Sequence, residues 1–151
     1  TSSSGATLPV TMRAVEEKVG VSIKTTSVVL TLGATVNMDG TSVFECIAAL
    51  ASAQVLGYDL SRATQTVVVL TALAASIGAA AVPSAGLVII FIVLGQIGLE
   101  GPEVNAIVGS MLAIDRPLDM YRTAVNVFGD SCGAAIIARP EGETNVDTEI
   151  I

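Results

Sequence analysis

From Ala63 to Leu99 the chain runs for 37 residues without an Asp, Glu, Lys or Arg. As one helix this stretch would extend ~55 Å at ~1.5 Å per residue, well beyond the ~30 Å hydrocarbon core of a bilayer. It must fold back on itself. The segment Ser76-Ile77-Gly78-Ala79-Ala80-Ala81-Val82-Pro83-Ser84-Ala85-Gly86 marks where, with small residues throughout and Pro83 between two glycines. Each arm, about 64–77 and 87–99, is ~20 Å long as a helix, which is short for a crossing. A re-entrant helical hairpin with its tip inside the membrane fits best. Two full spans joined by a tight surface turn is the alternative.

Composition supports a membrane reading. Hydrophobic residues make up 52% of the 151 and charged residues 14%, with a mean hydropathy of +0.74; soluble chains carry roughly 25% charged residues. Aromatics are 3%, Trp is absent and Gly numbers 14, so Ala, Val, Ile and Leu make up the apolar mass. Small residues in an apolar chain suit close helix–helix contact in lipid. The expected class is an all-α membrane protein.

Several chemistries are excluded. The chain has no His, which removes Ser-His-Asp, Cys-His and histidine-ligated metal sites. A net charge of −7 gives nothing to neutralise nucleic-acid phosphates. Cys46 and Cys132 stand apart with no CxxC spacing and read as free thiols. The segment 140–151 carries Glu141, Glu143, Asp147 and Glu149 and reads as a disordered, solvated tail. The opening Thr1-Ser2-Ser3-Ser4-Gly5 has no basic region before an apolar run, so no signal peptide is expected and the chain reads as a piece of a longer polypeptide.

A second interruption lies at Asn37-Met38-Asp39-Gly40-Thr41, between uncharged Thr25–Met38 and apolar Ser42–Tyr58. A single crossing helix unwound in its middle accounts for both short flanks. Such backbone is tolerated at membrane depth only when buried or lining a cavity, and it marks transporter binding sites. The expected boundaries are a first hairpin arm over about 1–20, a broken helix over about 25–58, a second hairpin over about 63–99 and a last helix over about 104–138. Pro117 is expected to kink or restart that last helix.

On a helix of ~100° per residue, Asp115, Asp119, Arg122, Asn126 and Asp130 share an arc of about 80°. Leu118, Val125, Phe128 and Ile136 lie outside it. Ionisable groups at membrane depth cost several kcal/mol unless paired or hydrated, so such a face is a functional-site candidate by default. Ion pairing that merely glues the bundle is the other reading, but three Asp against one Arg leave negative charge that calls for a cation. Asp39, Asn37 and Thr41 on unwound backbone present oxygen ligands, which suit Na⁺ or another hard cation; a capping role is the alternative. Glu45, one turn beyond Thr41, is either a proton carrier or a hydrogen-bonded structural acid. Ser2-Ser3-Ser4-Gly5 and Ser84-Ala85-Gly86, at half-helix N-termini, could receive a carboxylate.

Ser3-Ser4-Gly5-Ala6-Thr7-Leu8-Pro9, Asn37 through Thr41, the tip ending Val82-Pro83-Ser84-Ala85-Gly86, and Asp119-Met120-Tyr121-Arg122-Thr123 through Asn126-Val127-Phe128-Gly129-Asp130 resemble, in order, the glutamate/neutral amino acid transporter family (dicarboxylate/amino acid:cation symporters). The resemblance covers nearly the whole chain and implies the C-terminal part of an elevator-type transport domain. The elements would be hairpin one, a broken seventh helix, hairpin two as gate, and helix eight. It implies substrate contacts at Ser3, Ser4, Thr41, Val82, Gly86, Asp119, Arg122, Thr123 and Asn126. Among these, Asp119 would hold the amino group, Arg122 the side-chain carboxylate, and Asn126 with the Ser4 backbone the α-carboxylate. Sodium would be held at Gly33, Asn37, Asn126 and Asp130, at Asn37 with Asp39, and by backbone around Thr35, Ser76, Ile77 and Ala79. Glu45 stands at the family's proton-carrying position.

The same resemblance implies an integral plasma-membrane protein, not an enzyme, transporting glutamate or aspartate with Na⁺. H⁺ and K⁺ would be further coupled ions, and a homotrimer would form through a scaffold outside these 151 residues. Symport of neutral amino acids or dicarboxylates is the alternative, and an intramembrane aspartyl protease using Asp39 and Asp130 a remote one. An accompanying anion conductance stays open. Three departures are visible: Gly5 where many members have serine, Phe44 in place of a tyrosine, and no second arginine at Ser2 or Met120, although Arg116 is nearby. They leave K⁺ coupling and exact selectivity open.

Overall fold

In the computed structural model, which describes residues 1–79, 81, 83–143 and 145–146, the uncharged stretch folds back as its length requires. Helix α4 (Arg62–Ile77) returns as α5 (Ala85–Gln96), and the two pack together. The helices before them are α1 (Ser4–Ala14), continued by a π-helical turn over Val15–Val19, then α2 (Ile23–Val36) and α3 (Asp39–Val55). The last is α6 (Pro102–Ala138). No strand occurs among the described residues. Val82, at the tip of the second hairpin, lies outside them.

Local chemistry sets the joints. The Ser3 and Ser22 side chains cap α1 and α2 by accepting from Ala6 N and Thr25 N, the role for which serine is favoured at a helix start. The first helical arm ends at Gly20, whose φ of 81° closes it and whose N–H donates to Val15 O; glycine adopts that left-handed conformation without a Cβ penalty. Between α2 and α3 the backbone leaves helical geometry at Asn37 (φ −90°, ψ 84°) and Met38 (φ −111°, ψ 46°).

Helix α6 touches α1, α2, α3 and α5 and joins two separate apolar cores. One gathers Ala48, Ala49 and Ala53 of α3 against Val68 and Ala72 of α4 and Ile90, Val93 and Leu94 of α5, closing on Val104 and Val108 at the start of α6. The other packs Val15, Val21 and Leu30 against Ala134, Ala135 and Ala138 at the end of α6. Alanines at these seams let helix backbones approach closely. The polar stripe of α6 lies between the two cores.

The polarity of the molecule is inverted relative to a soluble domain. Asp115, Asp119, Arg122, Asn126, Asp130 and Glu45 are buried, while Leu32, Ile47, Leu70, Ile92, Phe128 and Ile136 are exposed. An outer surface of this kind calls for lipid or an apolar partner. Among the described residues no helix alone is both long and apolar enough to cross a membrane. The shorter helices come in consecutive pairs, and the long α6 carries the charges.

Two expectations are corrected. Pro117 does not restart the last helix, because α6 is helical without interruption from Pro102 to Ala138. An interior proline costs roughly 3 kcal/mol of helix stability, and packing of α6 on α2 and α3 overrides it. Nor is the described part of the acidic tail simply solvated, residues 144 and 147–151 lying outside the described residues. Glu143 accepts from Ser22 N (2.7 Å), Ser22 Oγ (2.6 Å) and Thr25 Oγ1 (2.6 Å), and Val146 packs on the second core. The free N–H groups and positive dipole end of α2 attract this carboxylate.

The hydrogen bonds from Ser22 hold the Glu143 carboxyl below the usual carboxylate range. A depressed native value means that the docking contributes in full above the ordinary glutamate range and is lost as pH falls through the lowered value. Glu143→Gln should therefore speed hydrogen exchange at the Ser22 amide at pH 7. Unchanged exchange would show that the tail does not hold this helix end in solution.

Candidate functional site

The helical period of α6 brings its ionisable groups to one buried face: Asp115 is 3% exposed, Asp119 8%, Arg122 5%, Asn126 2% and Asp130 5%. Arg122 is the centre of this face. Its Nη2 donates to Asp115 Oδ1 (2.9 Å) and lies 2.8 Å from Asp119 Oδ1. The guanidinium carbon stacks 4.2 Å from the centroid of Phe44, a favourable cation–π placement. Nε and Nη1 are buried without a partner. A buried donor left unmade is costly, so these two atoms call for an acceptor that the protein itself does not supply.

The hairpin tips close over this group. Ser84 donates its backbone N–H to Asp119 Oδ2 (2.9 Å) and its hydroxyl to Asp115 Oδ2 (2.7 Å). Ser3 Oγ of the first tip donates to Ala81 O of the second (2.6 Å). The cavity between them, about 20 Å³, is lined by Ser2, Ser3 and Ser4, by Thr41, and by Asp119, Arg122 and other groups of α6. Gly86 faces Arg122 so closely that any side chain there would collide with Nη1. Of the expected substrate residues, Ser3, Ser4, Thr41, Gly86, Asp119, Arg122, Thr123 and Asn126 all line this one pocket. Val82 is not described.

The break between α2 and α3 is read by Asn126. Its Oδ1 accepts from Gly40 N (2.8 Å), while Nδ2 donates to Thr41 Oγ1 (3.1 Å) and to Met38 Sδ (3.3 Å). Close by, Asn37 Nδ2 donates to Asp130 Oδ1 (3.0 Å). A Cβ at Gly33 would run into the Asp130 carboxylate. At Gly129 it would lie 2.7 Å from Asn37 Nδ2 and 3.4 Å from Asp39 Oδ2. Gly33, Asn37, Asp39, Asn126 and Asp130 thus meet at the break, and their oxygen donors suit a hard cation. Among the described residues no three acidic or thiol side chains converge, so backbone and amide oxygens would have to complete any shell.

The remaining expected cation residues are more dispersed. Thr35 and Ile77 are exposed, and Asp39 also reaches the surface. Thr35 Oγ1 donates to Leu32 O. Ser76 is buried, with its hydroxyl on Leu73 O and its carbonyl accepting from Ala79 N; Ala79 lines the pocket beneath the tips instead. Glu45 is fully buried with neither carboxylate oxygen hydrogen-bonded, and Oε1 would lie 3.7 Å from a Cβ at Gly86. It therefore stands beside Arg122 and the second tip rather than with the oxygen cluster of Asp130.

Sequence reasoning gave Met38 and Phe44 no site role, and placed Ser2 and Ser84 only within tips able to receive a carboxylate. Ser2 is buried at φ 57° with an unpartnered hydroxyl at the pocket, and Met38 places its sulfur against Asn126. Phe44 stacks on Arg122, and Ser84 ties the second tip to α6. The two tip motifs pointed to Ser2 and Ser84, but not to the aspartate acceptors of Ser84, which lie 31 and 35 residues away.

Comparison with known proteins adds a consistent finding. Residues 1–140 match the family described as the sodium:dicarboxylate symporter family. Over 137 residues, 91% of this chain, the sequence is 50% identical to excitatory amino acid transporter 4 of Mus musculus, covering 24% of that protein. Over 137 residues it is also 50% identical to an excitatory amino acid transporter of Caenorhabditis elegans, covering 26% of it. Identity to excitatory amino acid transporter 1 of Homo sapiens is 47% over 137 residues, with 24% of that protein covered. The chain thus spans about a quarter of the length of the relatives it matches.

The crowding at Gly86 yields a direct test. Gly86→Ala should force Arg122 out of its pairing or lift the tip, lowering stability by about 1–3 kcal/mol, the usual range for overpacking. Gly57, with nothing within 4 Å of a Cβ but a φ of 78°, should respond to Ala through backbone strain alone. Thermal unfolding of the full-length protein in detergent checks this; an unshifted midpoint for Gly86→Ala would contradict the packing.

Proposed function

Because the chain belongs to the sodium:dicarboxylate symporter family, a family of membrane transporters and not of enzymes, we propose that the protein containing it carries an acidic amino acid, glutamate or aspartate, across the plasma membrane in symport with Na⁺. Membership sets aside the aspartyl-protease alternative. The observation that carries the substrate assignment is Arg122, buried among acids with Nε and Nη1 unpartnered beside the pocket. A carboxylate is the acceptor that such a guanidinium fits best.

The rest of the pocket complements the same ligand. Asp119 is the carboxylate placed to meet an ammonium. Asn126 and the Ser3–Ser4 end of α1, which lines the pocket at the positive end of the helix dipole, would take the α-carboxylate. Thr41, Thr123, Gly86 and Val82 would complete the walls. An amino acid with a second carboxylate uses both Asp119 and Arg122; a neutral amino acid leaves Arg122 unanswered, and a plain dicarboxylate leaves Asp119 so. That double complement is why acidic amino acids are preferred here to either alternative.

Sodium is written as co-substrate. Gly33 and Asn37 carbonyls with Asn126 and Asp130 would form one site, Asn37 with Asp39 a second, and backbone around Thr35, Ser76, Ile77 and Ala79 a third. Coupling follows from shared residues, since Asn126 belongs to both the substrate pocket and the cation cluster. Glu45 would carry a proton, and K⁺ would be the countertransported ion where that coupling operates. Hairpin two would open and close as the gate, while the domain moves as a rigid elevator against a trimeric scaffold contributed by the rest of the protein.

Proteoliposomes of the full-length protein should take up labelled aspartate only with an inward Na⁺ gradient; uptake indifferent to sodium would sink the proposal. Arg122→Cys should reverse the preference for aspartate over serine by about tenfold or more, because the buried charge that demanded a carboxylate is gone. Asp130→Asn should raise the Na⁺ concentration needed for half-maximal uptake at saturating aspartate.

A further inference from the structure

We propose that Ser84 and Asp115 form a latch that couples closure of the second hairpin tip to the placement of Arg122, which makes both positioning residues for the acidic substrate. The inference rests on the reading of this hairpin as the gate. Its basis is the division of labour between the oxygens of two aspartates. Oδ1 of Asp115 and Oδ1 of Asp119 both face Arg122 Nη2. Oδ2 of Asp115 accepts from the Ser84 hydroxyl, and Oδ2 of Asp119 from the Ser84 N–H. Each carboxylate is therefore a bridge from the arginine to the tip.

Ser84 holds an unusual conformation for this purpose. Its φ of 61° and ψ of 12° are left-handed, which a residue with a Cβ adopts only when its surroundings over-determine it. Two hydrogen bonds into α6 supply that determination.

The two bonds differ in what a ligand does to them. Asp119 lines the pocket, so an incoming ammonium competes with the Ser84 N–H for its Oδ2. Asp115 is 3% exposed and does not line the pocket, so the bond from the Ser84 hydroxyl survives occupancy. It keeps the tip seated while Asp115 holds Arg122 by Nη2, with Nη1 and Nε turned toward the ligand. A substrate that fills Arg122 without displacing Asp115 is retained under a closed tip.

The test uses the full-length protein carrying Cys at Pro83, an exposed tip position, in an otherwise cysteine-free background, together with Ser84→Ala, Asp115→Asn and their combination. The first readout is the rate at which a membrane-impermeant maleimide labels the tip without amino acid present. Ser84→Ala should raise it about tenfold, the equivalent of one hydrogen bond to a charged group. In the Asp115→Asn background the same change should matter less than twofold, because the bond is shared. The second readout is Na⁺-dependent aspartate binding, where Ser84→Ala should speed dissociation about tenfold and leave association within twofold. Unchanged labelling in Ser84→Ala, or full additivity with Asp115→Asn, would overturn the latch. Ser84→Ala leaves Arg122 and both aspartates intact, so the question is answered even if Asp115→Asn does not fold. Faster labelling in a protein that binds no aspartate would uphold the latch and overturn the transport reading; tight aspartate binding with labelling unaffected would do the reverse.

Discussion

A guanidinium that is 5% exposed is the group around which the rest of this domain is arranged. An isolated charge cannot be kept in such a place, and a single pair seldom offsets the cost of removing both partners from water. Arg122 is therefore met twice, by Asp119 one turn before it and Asp115 two turns before it on the same helix, with the face of Phe44 beneath. All of this attention falls on one nitrogen and one face. What remains, Nε and Nη1, is desolvated and unanswered. The site exists because the arginine is held well enough to stay buried and incompletely enough to need a ligand.

The interruption between α2 and α3 extends the same logic to cations. Breaking a helix in the interior creates two ends of opposite polarity at one point. The C-terminal end of α2 lies against Asp130 through Asn37 and Gly33, and the N-terminal end of α3 offers the Gly40 N–H to Asn126. Negative dipole, carbonyls and carboxylate converge on the first side, where a cation is favoured. The second side is already satisfied by the amide of Asn126. That one residue lines the pocket and holds the helix break, which is the basis for the proposed coupling of cation and substrate.

Much of this was legible before any coordinates. The fold-back followed from 37 uncharged residues and a fixed bilayer thickness, and the buried face of α6 from the helical period alone. Those arguments succeed because they concern one segment against one constraint. Features that join distant segments were not visible. Glu143 reads in sequence like any solvated acid, and only the fold brings it to Ser22, 121 residues away. Asp39 shares a motif with Asn37 and Thr41, yet it reaches the surface while Thr41 is buried, since direction at a helix break is set by backbone angles that composition does not encode. Pro117 suggested a helix restart that does not occur, because local propensity lost to tertiary packing.

The placement of the two cores argues for which part moves. Helix α6 is continuous through both and is packed on α2 and α3 along the way, so it cannot open the polar belt without exposing Leu30, Val108 and their neighbours together. Cooperative cores of this kind open rarely, whereas segments with few buried contacts open often. The described part of the connection between α4 and α5 is held to α6 by the two bonds of Ser84 and to the first tip by Ser3 on Ala81. In the proposed transport cycle, access to Arg122 would therefore go by way of the hairpin tip rather than by separation of α6 from the two cores.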